Sequence, residues 1–168
     1  MAEIAADAGV SPQTIYAVFG GKTALVVAML EELEEPAVRR GVVAEILAEP
    51  HPGRQLRMLI RSNRSMFERG SPILRAAMAA RGDPDVAAMA RRGDVGRKNG
   101  ALELTRLWAE QGALAPGLDP RDAADQLWLL TSVEQFLLAT DELGWSGDRY
   151  EQWLGDLLER TLLADRPP

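Results

Sequence analysis

Apolar side chains recur along most of this 168-residue chain at intervals of three and four, the spacing of one face of an α-helix. Residues that favour strands do not gather into alternating runs. The pattern predicts short helices over residues 2–8 and 12–19. A longer one starts at Lys22, with Leu25, Val26, Met29, Leu30 and Leu33 on one stripe, and breaks near Glu35 ahead of Pro36. Helix resumes to about residue 48, and Pro50-His51-Pro52-Gly53 reads as a loop. The next helix is expected over 54–69. It carries Leu56, Leu59, Ile60, Asn63 and Phe67 on one face, and Arg54, Arg57, Arg61 and Arg64 largely on another. Gly70-Ser71-Pro72 is expected to stop it and to start a short helix to about residue 80. Gly82-Asp83-Pro84 opens a long helix to near Gly112, and 116–120 is a loop. An apolar helix then runs through Leu143, and a last one from Ser146 to about residue 164, before a frayed Arg166-Pro167-Pro168 tail. The expected fold class is all-α.

The first 34 residues carry the most specific punctuation. Gly9 supplies a turn in which a left-handed backbone is cheap only for glycine. Ser11 is a good N-cap, and Pro12 suits the first helical position. The helix that follows sets Ile15 and Phe19 on one side and Gln13, Thr14 and Ala17 on the other, and Gly20-Gly21 ends it. Short helix, tight turn, second short helix: this is helix-turn-helix geometry, in which the second helix enters the major groove of DNA.

Composition narrows the chemistry. Apolar residues make up 46% of the chain, and Ala, Leu, Arg and Glu favour helix. The absence of cysteine excludes disulfides and thiolate metal sites and fits a reducing cytoplasm. No apolar run reaches the roughly 18 residues a membrane span requires, and the acidic start is not that of a signal peptide. His51 is the only histidine and lies in the proline-rich loop; no metal-ligand spacing, phosphate loop or nucleophile beside a base appears. Glu31-Glu32 and Glu34-Glu35 read as solvated pairs. The expectation is a non-enzyme with no catalytic residue, no metal and no cofactor.

Net charge is −6 but unevenly spread: residues 1–50 are net −5, 51–110 net +6, and 111–168 net −7. DNA affinity rests largely on neutralised phosphates, so the acid N-terminal third opposes DNA binding. The arginine stripe of 54–64 reads either as a solvated face or as the lining of a site for an anionic effector. Asn63, set among apolar neighbours, needs a partner, either a ligand or nearby backbone. Met58, Met66, Phe67, Met78, Met89, Trp108, Trp128 and Phe136 supply soft and aromatic surface of the kind that lines apolar pockets or fills a core. Thr131, Ser132, Glu134 and Gln135 interrupt an apolar run and face either a pocket or a subunit seam. Gly93, Gly96 and Gly100 within one long helix permit close approach, leave room for a ligand, or mark a break.

The string IAADAGVSPQTIYAVFGGKTALVVAML resembles the DNA-binding segment of the tetracycline-repressor family of bacterial regulators. The resemblance is carried by Ile-Ala-x-x-Ala-Gly-Val-Ser, then Thr-Ile-Tyr, then Phe-x-x-Lys-x-x-Leu. Residues 127–163 are similar to the last two helices of many such proteins. The resemblance implies a helix-turn-helix domain over 1–35 and a helical ligand-binding and dimerisation domain over 36–168. It implies Ser11, Gln13, Thr14 and Tyr16 near operator DNA, with Lys22 on a phosphate. It places a small-molecule effector among the middle helices, for which Asn63, Met66, Phe67 and Met89 are candidates together with Trp108, Trp128 and Thr131. It implies a homodimer sealed by the last two helices: Leu127, Leu130, Val133 and Leu137 from one, and Leu154, Leu157, Leu158 and Thr161 from the other. Wide apolar stripes on two adjacent helices point the same way.

Three departures stand beside the resemblance. Ala17-Val18 replaces the usual His or aromatic residue before Phe19, and Gly20-Gly21 removes a side-chain cap before Lys22. The family's first helix, which packs over Ile4, Ile15 and Phe19 and supplies basic residues, has no counterpart. Either the chain is a trimmed version of a longer protein, or it is a naturally shortened regulator with poor DNA binding; a native mass near 18.3 kDa excludes the first. The expectation is a cytoplasmic, ligand-responsive transcriptional regulator, most simply a repressor. The alternative is a dimeric ligand- or protein-binding module that has lost DNA recognition.

Overall fold

A computed structural model describes residues 1–33 and 36–164, and its elements are α-helices with one isolated β-bridge among those residues. In order they are α1 (Ala2–Asp7), α2 (Pro12–Phe19), α3 (Lys22–Leu33), α4 (Pro36–Ala48), α5 (Pro52–Ala79), α6 (Pro84–Glu110), α7 (Pro120–Leu130), α8 (Val133–Leu137) and α9 (Gly147–Leu162). A single π-helical turn, Leu138–Glu142, follows α8. The break expected near Glu35 and the C-terminal tail lie outside the described residues. No described helix is long and apolar enough by itself to cross a membrane.

The chain divides into two compact units. Met1–Glu35 with Gly70–Gly93 form the first, and Pro36–Arg69 with Asp94–Pro168 the second. The helices α5 and α6 therefore contribute residues to both. In the first unit Ala5, Ile15 and Leu25 make one small core, with Met1 and Phe19 against it. A second cluster joins Val26 and Leu30 of α3 to Ile73 and Ala77 of α5 and Val86 and Met89 of α6.

The second unit buries a larger set, including Leu56, Ile60, Phe67, Trp108, Leu127, Phe136, Tyr150, Leu154, Leu158 and Leu162. Phe67, Phe136 and Tyr150 form a chain of ring contacts at 5.5 and 5.3 Å. The end of α6 turns at Gly112 (φ 63°), and Leu114 pairs with Leu163 just beyond α9. That bridge, with Ala115 N–H donating to Leu162 O and Ala164 N–H to Ala113 O, ends α9 at Leu162 instead of residue 164.

Two expected boundaries are corrected. Gly70-Ser71-Pro72 does not stop α5, which runs unbroken to Ala79. Proline inside a helix costs about 3 kcal/mol, but the apolar phase does not shift across it. Leu56, Ile60, Phe67, Gly70, Ile73 and Ala77 are all buried at helical spacing. Gly70 is needed there because a Cβ at this position would lie 2.9 Å from Leu33 Cδ1. Conversely, the apolar helix from Pro120 does not reach Leu143. The Thr131 hydroxyl donates to Leu127 O at 2.6 Å, and Ser132 adopts extended backbone and caps α8. Two adjacent hydroxyl residues compete with the backbone ladder and close α7. The long helix α6 is unbroken despite its glycines. At Gly96 an added Cβ would sit 3.0 Å from Arg39 Nη2, a tight approach to the end of a flexible side chain.

Candidate nucleic-acid interface

The turn between α1 and α2 is built by local chemistry. Gly9 takes φ 67°, and Val10 N–H donates to Ala5 O at 2.9 Å, closing the end of α1. Ser11 is extended, and its Oγ accepts from Thr14 N–H at 3.1 Å, capping α2. Gly20 (φ 76°) ends α2, its N–H donating to Tyr16 O at 2.8 Å. The axes of α2 and α3 then differ by 71°.

This geometry sorts the side chains of α2. Ile15 is buried and Phe19 partly so, which fixes the inner face. Gln13, Thr14, Tyr16 and Ala17 are exposed, with Tyr16 at 51%, and Lys22 is exposed at the first position of α3. Gln and Thr can read base edges, and Tyr and Lys suit phosphate oxygens. Ser11 and Thr14 also bond to each other, Oγ to Oγ1 at 2.9 Å, so Ser11 serves first as the cap. Two short helices at this spacing, with an outward polar face on the second, define the helix-turn-helix class of DNA-binding segment.

Residues 1–29 match the family model described as bacterial regulatory proteins, tetR family. Over that segment the chain is similar to a family of DNA-binding transcriptional regulators. No curated protein matches the chain.

The residues expected to line an effector site are divided between the two units. Met89 belongs to the first unit, buried with Val86, Ile73 and Leu30, whereas the other six lie in the second. Trp108 is fully buried, but its indole N–H donates to Gln55 Oε1 at 2.6 Å, and Gln55 Nε2 donates to Glu49 O at 2.7 Å. That network ties the end of α4 to α5 and α6 and leaves Trp108 no free polar atom. Phe67 is occupied by its ring contacts, and Thr131 by Leu127 O. Asn63 and Met66 are only partly buried. Trp128 differs: its Nε1–H is buried with no acceptor among the described residues. Lys98 Nζ and Arg97 Cζ lie 5.5 and 6.0 Å from its ring centroid. An open groove of about 680 Å³ between α4 and α6 is lined by Leu47, Leu102, Leu107, Asn99, Glu103, Arg106 and Glu110, none of them expected.

The arginine stripe divides: Arg54 and Arg61 are exposed, whereas Arg57 and Arg64 are partly buried against acids. Arg57 binds Asp156 Oδ1 at 2.7 Å and both oxygens of Glu159 at 2.7 and 2.6 Å. Arg61 reaches Glu151 at 3.2 Å, and Arg64 binds Glu68, Asp148 and Glu151. The hydrogen bond to Glu159 leads in raising the Arg57 pKa, and Arg57 in turn holds Asp156 below the usual carboxylate range. Arg57, Arg61 and Arg64 of the basic middle thus pair with Asp148, Glu151, Asp156 and Glu159 of the acidic end between α5 and α9. Acids at 148, 151, 156 and 159, opposite arginines at 57, 61 and 64, were the available signal. Gly155 makes the contact possible, since a Cβ there would lie 2.6 Å from Arg57 Cζ.

Of the residues expected at a dimer seam, Leu127, Leu137, Leu154 and Leu158 are buried within the single chain. Leu130, Val133 and Leu157 are partly buried, and Thr161 is exposed. The inner half of each stripe is core, which the helical spacing alone does not separate from an outer half.

Proposed function

We propose that the protein is a dimeric, effector-responsive repressor that reads operator DNA with α2. The observation that carries this reading is the outward face of α2: Gln13, Thr14 and Tyr16 are exposed over a buried Ile15, with exposed Lys22 opening the next helix. The acidic first 50 residues weigh less than their charge suggests. The unit that holds α2 also holds Arg75, Arg81, Arg91 and Arg92 beside Asp83 and Asp85, which brings its formal charge from −5 for residues 1–35 to −3. The expected two-fold partner is favoured by apolar side chains left outward on the last helices: Leu129 (56% exposed), Leu138 (52%) and Trp153 (39%). Two copies present two recognition helices to half-sites about one helical turn apart, roughly 34–36 Å. The unsatisfied indole N–H of Trp128 supports an effector with a hydrogen-bond acceptor, and binding shifts the population toward a dimer whose α2 helices no longer match that spacing. Such a protein works in the cytoplasm, where its operator lies.

The test is titration of the full chain against duplex DNA from upstream of its own coding sequence at low salt, with light scattering on the same sample. The proposal expects retardation of that DNA and a particle of about twice 18.3 kDa. A dimer that leaves the DNA free supports a binding module without DNA recognition, and a monomer ends the two-half-site mechanism.

A further inference from the structure

The first turn of α3 has to place Lys22, yet the residue before it is Gly21, which has no side chain with which to cap the helix. The structure supplies the missing restraint from another part of the same unit. Thr23 Oγ1 donates to Asp83 Oδ2 at 3.1 Å, a contact 60 residues distant in sequence and partly buried. Asp83 immediately precedes α6, and its other oxygen, Oδ1, accepts from Asp85 N–H at 3.0 Å. Its carbonyl accepts from Ala87 N–H at 2.9 Å. One carboxylate therefore caps α6 and holds the first turn of α3 at the same time. Both oxygens are used, one on the backbone at the start of α6 and one on the Thr23 side chain of α3.

The geometry points to Thr23 and Asp83 as a positioning pair for DNA recognition. The bond fixes the rotation of α3 about its own axis at the turn that bears Lys22, directly after the Gly20-Gly21 junction that ends α2. An Asp near a DNA-reading surface is otherwise unfavourable, because its charge opposes phosphate binding. Its presence here is explained by the latch. The inference rests on the reading of α2 and Lys22 as a DNA interface, and it adds a residue far from them in sequence on which that interface depends. Thr23 and Asp83 touch no nucleotide in this account and act through Lys22 and the end of α2.

The experiment uses the full chain and four variants: Thr23→Val, Thr23→Ser, Asp83→Ala and the Thr23→Val/Asp83→Ala double. Two quantities are read, affinity for the upstream duplex at fixed salt and amide exchange of residues 22–25. Thr23→Val is isosteric and changes no charge. Loss of a hydrogen bond to a carboxylate should weaken DNA binding on the order of five- to tenfold and speed exchange at 22–25, while the melting temperature falls by only a few degrees. Thr23→Ser should restore both. Asp83→Ala should weaken binding although it removes a negative charge, and the double variant should be no weaker than Asp83→Ala alone. Wild-type affinity and wild-type exchange in Thr23→Val would overturn the latch. If the wild-type chain itself fails to bind DNA, the functional reading falls, and the exchange data still decide whether the pair holds α3.

Discussion

Replacing Gln55 by Ala tests whether Trp108 is a structural residue or part of a ligand site. Gln55 and Trp108 are both fully buried, and their bond is 2.6 Å. Removing the amide leaves the indole N–H without an acceptor, which costs about 1–3 kcal/mol. The side-chain volume lost, about 50 Å³, adds roughly 1 kcal/mol at about 24 cal/mol per Å³ of residual cavity. The carbonyl of Glu49 also loses the Gln55 Nε2 donor, but Glu49 is only partly buried and water can replace it. The expected loss is thus about 2–4 kcal/mol. With a urea slope of about 2 kcal/mol per M, that is a midpoint shift of about 1–2 M. Gln55→Met fills the volume without an acceptor and should retain the larger part of the loss. Urea unfolding followed by tryptophan fluorescence reads both. A loss below about 0.5 kcal/mol in Gln55→Ala, with unchanged slope, would refute the reasoning.

Further expectations concern the α5–α9 contact and the core. Arg57→Met removes the ion pairs with Asp156 and Glu159 and should lower the melting temperature by about 2–4 °C; no change would show that the ion pairs add nothing. Asp156 has its folded pKa lowered by Arg57 and Gln152, so its contribution is present above the ordinary carboxyl value near 4 and lost as pH falls through the folded one. Asp156→Asn should therefore lower stability near neutral pH and leave it little altered at pH 3, which flattens the acid limb, as thermal melts from pH 6 to 3 will read. Leu158→Ala opens a cavity in a fully buried position and should cost about 2–5 kcal/mol, whereas exposed Thr161→Ala should be near neutral.

The helix-turn-helix was legible because its signals are local. Gly9, Ser11-Pro12 and Gly20 each fix one backbone choice, and the structure adopts all of them. Pro72 misled because a proline is a local signal, while the continuity of α5 is decided by apolar phase over five turns. Thr131-Ser132 misled in the opposite sense: apolar phase continued, but two hydroxyls captured the backbone. The arginine stripe and the Thr23–Asp83 bond join residues 60 to 102 positions apart. Composition can suggest such pairings only where charges repeat in register, as they do for α5 and α9. The candidate effector site was least legible, because burial does not distinguish a core aromatic with a satisfied N–H, Trp108, from one without, Trp128.

The central claim is that α2 presents Gln13 and Tyr16 to duplex DNA. Its most direct test is fluorescence anisotropy of labelled upstream duplex, titrated with wild type, Gln13→Ala, Tyr16→Ala and Lys22→Ala at stepped salt. Wild-type binding should weaken linearly in log–log against salt. Lys22→Ala should lower that slope by about one. Gln13→Ala should lose discrimination against unrelated DNA, and Tyr16→Ala should lose affinity. Equal binding by all four proteins, with the same salt slope, would contradict it.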